Sequence, residues 1–232
     1  ENLSEITLNE GLKEIKESAF TNTSISSLVI PSSVLTIGAN AFKSEFEEFG
    51  LHELTFASNS NLTRIGSSAF SNHHLKDLIL PASLETIESN AFALDDYQSS
   101  ELESLTFEEN SNLKTIEMQA FYNVGMSTLE LPDSVTSIYS GAFYGTRVTK
   151  FTVGTNLSNL QSDFINGENL KEFEVDSGNE NYVSIDGILY NKDVTSLIKY
   201  PPMYYRSNNE LTIPSTVENL NYSSFEGWES YE

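Results

Sequence analysis

The chain has 232 residues, no cysteine, and 34 acidic against 12 basic residues, which gives a formal charge of −22 at pH 7. This charge excludes nucleic acid and anionic lipid as partners, since both are polyanions, and it favours basic proteins, basic peptides or divalent cations. The missing cysteines exclude structural disulfides, thiolate metal sites and cysteine nucleophiles, and no apolar run is long enough for direct membrane insertion.

The first recurring element is a short segment of the form L-x-x-L-x-L. Its last two apolar positions stand two residues apart, which is the period of a strand with one buried face. We therefore predict stacked strands that form one parallel sheet along one side of the molecule. The apolar positions are Leu3/Ile6/Leu8, Ile25/Leu28/Ile30, Leu51/Leu54/Phe56, Leu75/Leu78/Leu80, Leu102/Leu105/Phe107, Met126/Leu129/Leu131, Val148/Phe151/Val153, Leu170/Phe173/Val175 and Leu211/Ile213.

The second element, an L/V-x-x-I step followed by an Ala-Phe pair, comes after each of these segments. Self-similarity at a period of about 20–30 residues indicates a solenoid, in which each coil buries its apolar face against its neighbours. We expect short turns or 3-10 segments opposite the sheet, and a spine of stacked Phe rings inside. The spine residues are Phe20, Phe42, Phe70, Phe92, Phe121, Phe143 and, in two weaker copies, Phe164 and Phe225.

The coils differ in length and in the residues that end their strands. Proline follows the strand directly in several coils, as at Pro31, Pro81 and Pro132, where it ends pairing and turns the chain. The longer coils carry insertions at Lys43–Gly50 and Ala93–Glu101, which we expect to form loops along one edge.

The regular repeats run over residues 1–175, and a different pattern follows. Short strands are predicted at Tyr182–Ile185, Ile188–Tyr190 and Ser196–Tyr200, and the Asp186-Gly187 pair is a hairpin signal. We interpret 176–207 as an inserted antiparallel β-meander and 208–232 as the resumed repeat. The whole chain, 1–232, is then a single solenoid of about nine coils. Because it starts inside a repeat, we expect it to be a fragment of a longer protein.

The combination of L-x-x-L-x-L, the I-P-x-S-V turn, I-x-x-x-A-F and the insertion DGILYNKD…LIKYP resembles the BspA-like, treponemal-type leucine-rich repeats. The resemblance covers essentially the whole chain. It implies a mainly β, right-handed leucine-rich-repeat solenoid in a secreted or surface-displayed bacterial protein, with any signal or anchor outside this segment. Some members of the family mediate adhesion to host proteins or other microbes. The family has no shared catalytic residues, so none is carried over.

Catalytic and metal-binding patterns are weak. The three histidines include the adjacent pair His73-His74, which we expect to be exposed and without metal-ligand partners. Two S-x-x-K matches, at Ser111 and Ser196, lack the other lactamase motifs. The acidic segment 176–181 lacks the order of an EF-hand loop, so a solvated loop is expected, although calcium binding is left open. We predict a non-catalytic protein without a cofactor.

Two surfaces are candidates for binding a protein ligand. One is the outward set of strand positions, and the other is a Tyr-rich group at the end of the meander, since Tyr and Arg are enriched at binding hot spots. Strand propensity and packing of the meander explain the same residues without a ligand. The predicted binding residues are Glu53, Thr55, Asp77, Ile79, Thr106, Thr128, Glu130, Thr152, Glu172, Glu174, Tyr200, Tyr204, Tyr205 and Arg206.

The function that we predict is a non-catalytic, protein-binding solenoid at the bacterial surface or secreted from it, acting in adhesion or host interaction. The expected partner is a basic protein or a host extracellular protein. The alternative is a structural stalk that displays another functional domain.

Overall fold

The structure is a computed structural model that describes residues 3–45, 50–95, 102–203 and 211–226. Every regular element in these ranges is a strand. The described residues include no helix that is long and apolar enough to cross a membrane. The strands are β1 Glu14–Ile15, β2 Ser27–Ile30, β3 Thr36–Ile37, β4 Glu53–Phe56, β5 Arg64–Ile65, β6 Asp77–Leu80, β7 Thr86–Ile87, β8 Ser104–Phe107, β9 Thr115–Ile116, β10 Ser137–Ile138, β11 Phe143–Tyr144, β12 Lys150–Val153, β13 Asn159–Leu160, β14 Ile165–Asn166, β15 Glu172–Val175, β16 Tyr182–Ile185, β17 Ile188–Asn191, β18 Ser196–Lys199 and β19 Asn219–Leu220.

The continuous sheet of the solenoid is built from the L/V-x-x-I steps. Seven two-residue strands pair in parallel in the order β1-β3-β5-β7-β9-β10-β13. Register is fixed by the buried isoleucines, because Ile37 lies opposite Ile15 on one side and Ile65 on the other. The sequence predicted strands only at the L-x-x-L-x-L segments, so the strands at these steps are a finding of the structure.

The L-x-x-L-x-L segments form strands that pair two by two. The pairs are β2–β4, β6–β8 and β12–β15, all parallel. The predicted alternation is confirmed, since β2 and β6 both alternate exposed and buried side chains. The predicted solenoid with a parallel sheet is confirmed, but the continuous sheet lies at the L/V-x-x-I steps, and the L-x-x-L-x-L side carries only these two-stranded pairs in the described ranges. Residues 3–8, 126–131 and 211–213 form no strand.

Stacked phenylalanine rings run through the core. Ring centroids are 5.1, 5.2, 5.5, 5.3 and 5.6 Å apart from Phe20 through Phe42, Phe70, Phe92 and Phe121 to Phe143. Six members of the predicted spine are therefore confirmed.

The last two members of the predicted spine pack differently. Phe164 meets Phe151 edge-on at 4.8 Å, because Phe151 stands where most coils have a leucine. Phe225 stacks on Tyr200 at 5.4 Å, in a separate cluster between the meander and the resumed repeat.

Left-handed backbone turns position the Ala-Phe pairs. The residue before the alanine has φ between 54° and 64° in six successive coils, and glycine, asparagine and serine supply most of these positions. The residues are Ser18, Asn40, Ser68, Asn90, Gln119 and Gly141. The turn brings neighbouring backbones together, so that Phe42 N–H donates to the Ala69 carbonyl at 2.9 Å. Ala69 is fully buried, because a larger side chain has no room between the coils.

The predicted meander is confirmed. β16, β17 and β18 pair antiparallel, and Asp186-Gly187 forms the first turn with φ of 51° and 76°. β18 then pairs in parallel with β19 of the resumed repeat. The meander also ends the seven-stranded sheet, because the Leu160 N–H donates to the Tyr182 hydroxyl at 2.9 Å.

Candidate protein-binding face

The outward side chains of the L-x-x-L-x-L segments form a regular surface, which we call the strand face. Its members are Ser27, Val29, Glu53, Thr55, Asp77, Ile79, Ser104, Thr106, Thr128, Glu130, Lys150, Thr152, Glu172 and Glu174. All are exposed except Ser104 and Thr152, which are half-buried. The strand residues predicted to bind a partner are therefore brought together on one side.

A buried layer beneath the strand face holds it in place. Leu54, Leu78, Leu105, Phe151 and Phe173 are each 4% exposed or less. Each of them sits between two outward residues of the same strand, so the backbone of the face is fixed by the core. A surface ordered in this way loses little conformational entropy when a partner binds.

The strand face is acidic. Glu53, Asp77, Glu130, Glu172 and Glu174 lie along it, and Glu174 pairs with Lys150 at 3.0 Å. Both partners of that pair are about half exposed, so solvent screens it and it adds little stability. The surplus of carboxylates attracts cationic groups.

Two apolar side chains project from this acidic surface. Val29 is 56% exposed and Ile79 is 59% exposed, at matching positions of β2 and β6. Single exposed β-branched residues are ordinary on strands. On the strand face, Val29 and Ile79 add apolar contact surface between the carboxylates.

The aromatic part of the predicted site is corrected by the structure. Tyr200 is only 2% exposed, because its ring is covered by Phe225, and Tyr190 is 1% exposed in the same cluster. A tyrosine at the end of a strand with two buried faces belongs to the core. Tyr204, Tyr205 and Arg206 lie outside the described residues.

The expectation for His73 is also wrong. The residue is 8% exposed, and its Nδ1 accepts a hydrogen bond from the Leu51 N–H at 3.1 Å. Burial lowers the pKa of His73 to about 3, so the ring is neutral at physiological pH. The preceding asparagine, Asn72, is also buried and bonds to Asp95, which shows that this connection is packed between coils.

Lys199, which the sequence placed in a predicted strand and in the S-x-x-K match at Ser196, is a buried cation. It has no exposed surface, and its Nζ donates to the Ser223 carbonyl at 2.9 Å. Burial lowers the pKa of Lys199 to about 8, against the opposing effect of Glu226 and Asp163. The bond ties the meander to the resumed repeat.

Metal-binding groups are not assembled in the described ranges, where no three His, Asp or Glu side chains lie close enough to hold an ion. In the acidic segment 176–181, Asn179 is buried and donates to the carbonyls of Gly154 and Leu157 at 2.7 and 2.9 Å. This segment therefore connects coils. Within the insertions at Lys43–Gly50 and Ala93–Glu101, residues 46–49 and 96–101 lie outside the described residues.

Comparison with known sequences places these features in one family. The profile described as the BspA type leucine-rich repeat region matches residues 1–97 and 95–200, with six copies of the repeat. The chain belongs to the BspA-type leucine-rich repeat family. The predicted resemblance is thus confirmed. A search of curated proteins found no match to the chain.

Solved structures of bacterial leucine-rich repeat proteins share the fold. A leucine-rich cell surface protein from Faecalibacterium prausnitzii is 25% identical over 96% of this chain, with a TM-score of 0.72. A leucine-rich repeat protein from Eubacterium ventriosum is 27% identical over 76% of the chain, with a TM-score of 0.64. The pneumococcal vaccine antigen PcpA is 27% identical over 95%, with a TM-score of 0.60. The chain spans 59%, 45% and 50% of these three chains, respectively.

Proposed function

We propose that this solenoid is a non-catalytic, protein-binding segment of a bacterial surface or secreted protein, and that it acts in adhesion to a host or microbial protein. The observation that carries the proposal is the strand face, an exposed acidic array on a buried apolar layer. Among similar structures, one is described as a cell surface protein and another as a vaccine antigen. Both descriptions fit display outside the cell.

The charge of the face supports a basic partner. A chain with a formal charge of −22 repels other acidic surfaces and draws basic ones by long-range attraction. Such attraction acts mainly on the association rate and weakens as salt screens it over about 8 Å at physiological ionic strength. We therefore expect a basic protein ligand whose association slows as salt is added.

The alternative is a stalk that carries another domain. The regular stacking of coils from β1 to β13 would suit that role equally well. The two roles differ in one measurable respect, since a stalk has no partner of its own for the strand face.

Surface plasmon resonance against purified host extracellular proteins tests the proposal. The variant Glu53→Lys/Glu172→Lys changes two exposed strand-face carboxylates, and Glu14→Lys/Glu168→Lys changes two exposed carboxylates elsewhere by the same net charge. We expect the first variant to weaken binding by about tenfold or more and the second to have a smaller effect, since only close charges contribute strongly. Equal effects would place the site elsewhere. Binding to no protein in the panel would favour the stalk.

A further inference from the structure

A groove interrupts the strand face between β8 and the segment 128–134. Residues 104–111 line one side, and Thr128 with residues 130–134 line the other. In the described ranges, no backbone hydrogen bond joins β8 to this segment. Behind the groove the coils stack normally, since β9 pairs with β10 and the rings of Phe121 and Phe143 are 5.6 Å apart. The opening is therefore local to the strand side.

A proline accounts for the missing bond at the end of β8. At the paired junctions, the residue after the second strand donates to the end of the first, as Ala57 N–H does to Ile30 at 2.9 Å and Glu108 N–H to Leu80 at 3.0 Å. The corresponding donor opposite β8 is Pro132, which has no N–H group.

Ser134, two residues after Pro132, also lacks the hydrogen bond that its counterparts make to the preceding coil. In two earlier coils, the hydroxyls of Ser33 and Ser83 donate to the carbonyls of Leu12 and Leu62, each at 2.8 Å. Ser134 holds the same position in its coil, but its buried hydroxyl oxygen has no hydrogen-bond partner. The contact that Ser33 and Ser83 make to the preceding coil is absent at this junction.

The groove exposes the edge of a sheet. Ser104 and Glu108 donate their N–H groups to Lys76 and Leu80, towards β6. Because successive backbone groups of a strand point in opposite directions across the sheet, those of Leu105 and Phe107 point towards the groove. An open parallel edge of this kind pairs readily with another extended chain.

The chemistry of the walls specifies the occupant. Glu108, Glu109, Glu130 and Asp133 line the groove, and its lining contains no lysine or arginine. Glu108 is engaged, since it accepts a hydrogen bond from the Ala82 N–H at 2.9 Å. The other three carboxylates are exposed. Half-buried apolar side chains, Phe107 and Leu131 among them, lie between the acidic residues.

We propose that this groove binds an extended, basic peptide segment of a partner protein. The peptide backbone pairs with the edge of β8, and alternate Lys or Arg side chains meet Glu109, Glu130 and Asp133. This mode combines main-chain hydrogen bonds with side-chain selection at every second residue. The inference rests on the proposed function and gives it a particular site and class of partner.

Peptide backbone chemistry provides the first test. The probe is a fluorescent octapeptide in which Lys and Thr alternate, and two versions carry N-methyl groups on the Lys amides or on the Thr amides. Both modified peptides keep the charge, but only one set of amides can face β8. We expect one version to bind about tenfold more weakly and the other to retain its affinity, because one set of hydrogen bonds is lost. Equal affinities of the two modified peptides, or equal losses of affinity, would contradict pairing of the peptide backbone with β8.

Protein variants provide the second test. Glu109→Gln/Glu130→Gln removes two groove charges, and the matched variant Glu103→Gln/Glu180→Gln removes two exposed charges outside the groove. We expect about tenfold weaker peptide binding for the first and little change for the second. Hydrogen exchange should also slow at Leu105 and Phe107 when the peptide binds. Equal effects of the two variants, or unchanged exchange, would contradict the groove site.

The two proposals fail in different ways. If no peptide binds, but a panel protein binds and the Glu53→Lys/Glu172→Lys variant weakens that binding, the groove inference is wrong and the proposed function stands. If the peptide binds in the groove and no panel protein binds, the groove is supported and the wider strand-face assignment fails.

Discussion

The hydroxyl of Tyr182 lies 2.9 Å from the backbone nitrogen of Leu160 and 3.2 Å from the Ser158 carbonyl, at the last strand of the seven-stranded sheet. It accepts from the first group and donates to the second. A side chain of the meander thus takes the place of the next strand. Burial raises the pKa of Tyr182, while the bond from Leu160 opposes that rise.

Removing this hydroxyl should destabilise the protein. Tyr182→Phe leaves the buried Leu160 N–H without its acceptor, and we expect the free energy of unfolding to fall by about 1–3 kcal/mol. Urea denaturation followed by circular dichroism measures the change. Tyr139→Phe, in a half-buried ring of the regular coils, serves as the control. A change for Tyr182→Phe no larger than that of the control would show that the sheet end is satisfied by other groups.

The stacked rings predict a large cavity effect. Phe92 lies between Phe70 and Phe121 at 5.5 and 5.3 Å, and is 4% exposed. Phe92→Ala should cost about 3–5 kcal/mol, because both neighbouring rings lose contacts. Thermal unfolding measures the loss, and Ile79→Ala on the exposed strand face should change stability far less. An unchanged melting temperature for Phe92→Ala would contradict a packed spine.

His73 should make the protein sensitive to acid. Its folded pKa of about 3 lies below the ordinary value of 6.5, so the unfolded chain takes up a proton first as pH falls. Stability is therefore lost between about pH 6.5 and pH 3. His73→Asn, whose amide oxygen can replace Nδ1, should show a smaller loss in urea titrations over this window. His52→Asn, at an exposed ring, should behave like the unmodified protein. Identical pH profiles for all three proteins would rule out this role of His73.

Lys199 should make the stability of the protein depend on pH in the alkaline range. Its folded pKa of about 8 lies below the ordinary value of 10.5, so above pH 8 the folded protein releases a proton that the unfolded chain still holds. Stability should rise with pH in this window, by on the order of 3 kcal/mol at most. Unfolding measured from pH 7.5 to pH 10 should show this slope, which Lys199→Met should lose. Lys171→Met, at an exposed side chain, should keep the slope. If Lys199→Met keeps it as well, the amine is not responsible.

Much of the strand face could be predicted from residue order, because a strand alternates its sides. Thr55 and Ile79 were placed outward by counting from Leu54 and Leu78, and both are exposed. Tyr200 could not be placed in this way. Its burial depends on Phe225, which lies 25 residues further along the chain and reaches it only after the meander has folded back.

The groove also has a partial signal in the sequence. Pro132 follows Leu131 directly, and a missing N–H at that position predicts one lost bond to the preceding coil. Yet Ser83 closes its coil after Pro81 with a hydroxyl bond, whereas Ser134 does not close its own. Whether a groove forms at a junction with proline therefore depends on how the side chains of the two neighbouring coils pack.

The sequence by itself determined the family, the solenoid and the meander, since each follows from local periodicity and short motifs such as Asp186-Gly187. Only the tertiary structure decided which strands pair across coils, and that Tyr182, His73 and Lys199 are buried. The physical reason is that pairing and burial are set by contacts between residues about 20 or more positions apart, as between Leu160 and Tyr182. A repeat fixes the period of such contacts, but the fit of each junction depends on the side chains that meet there.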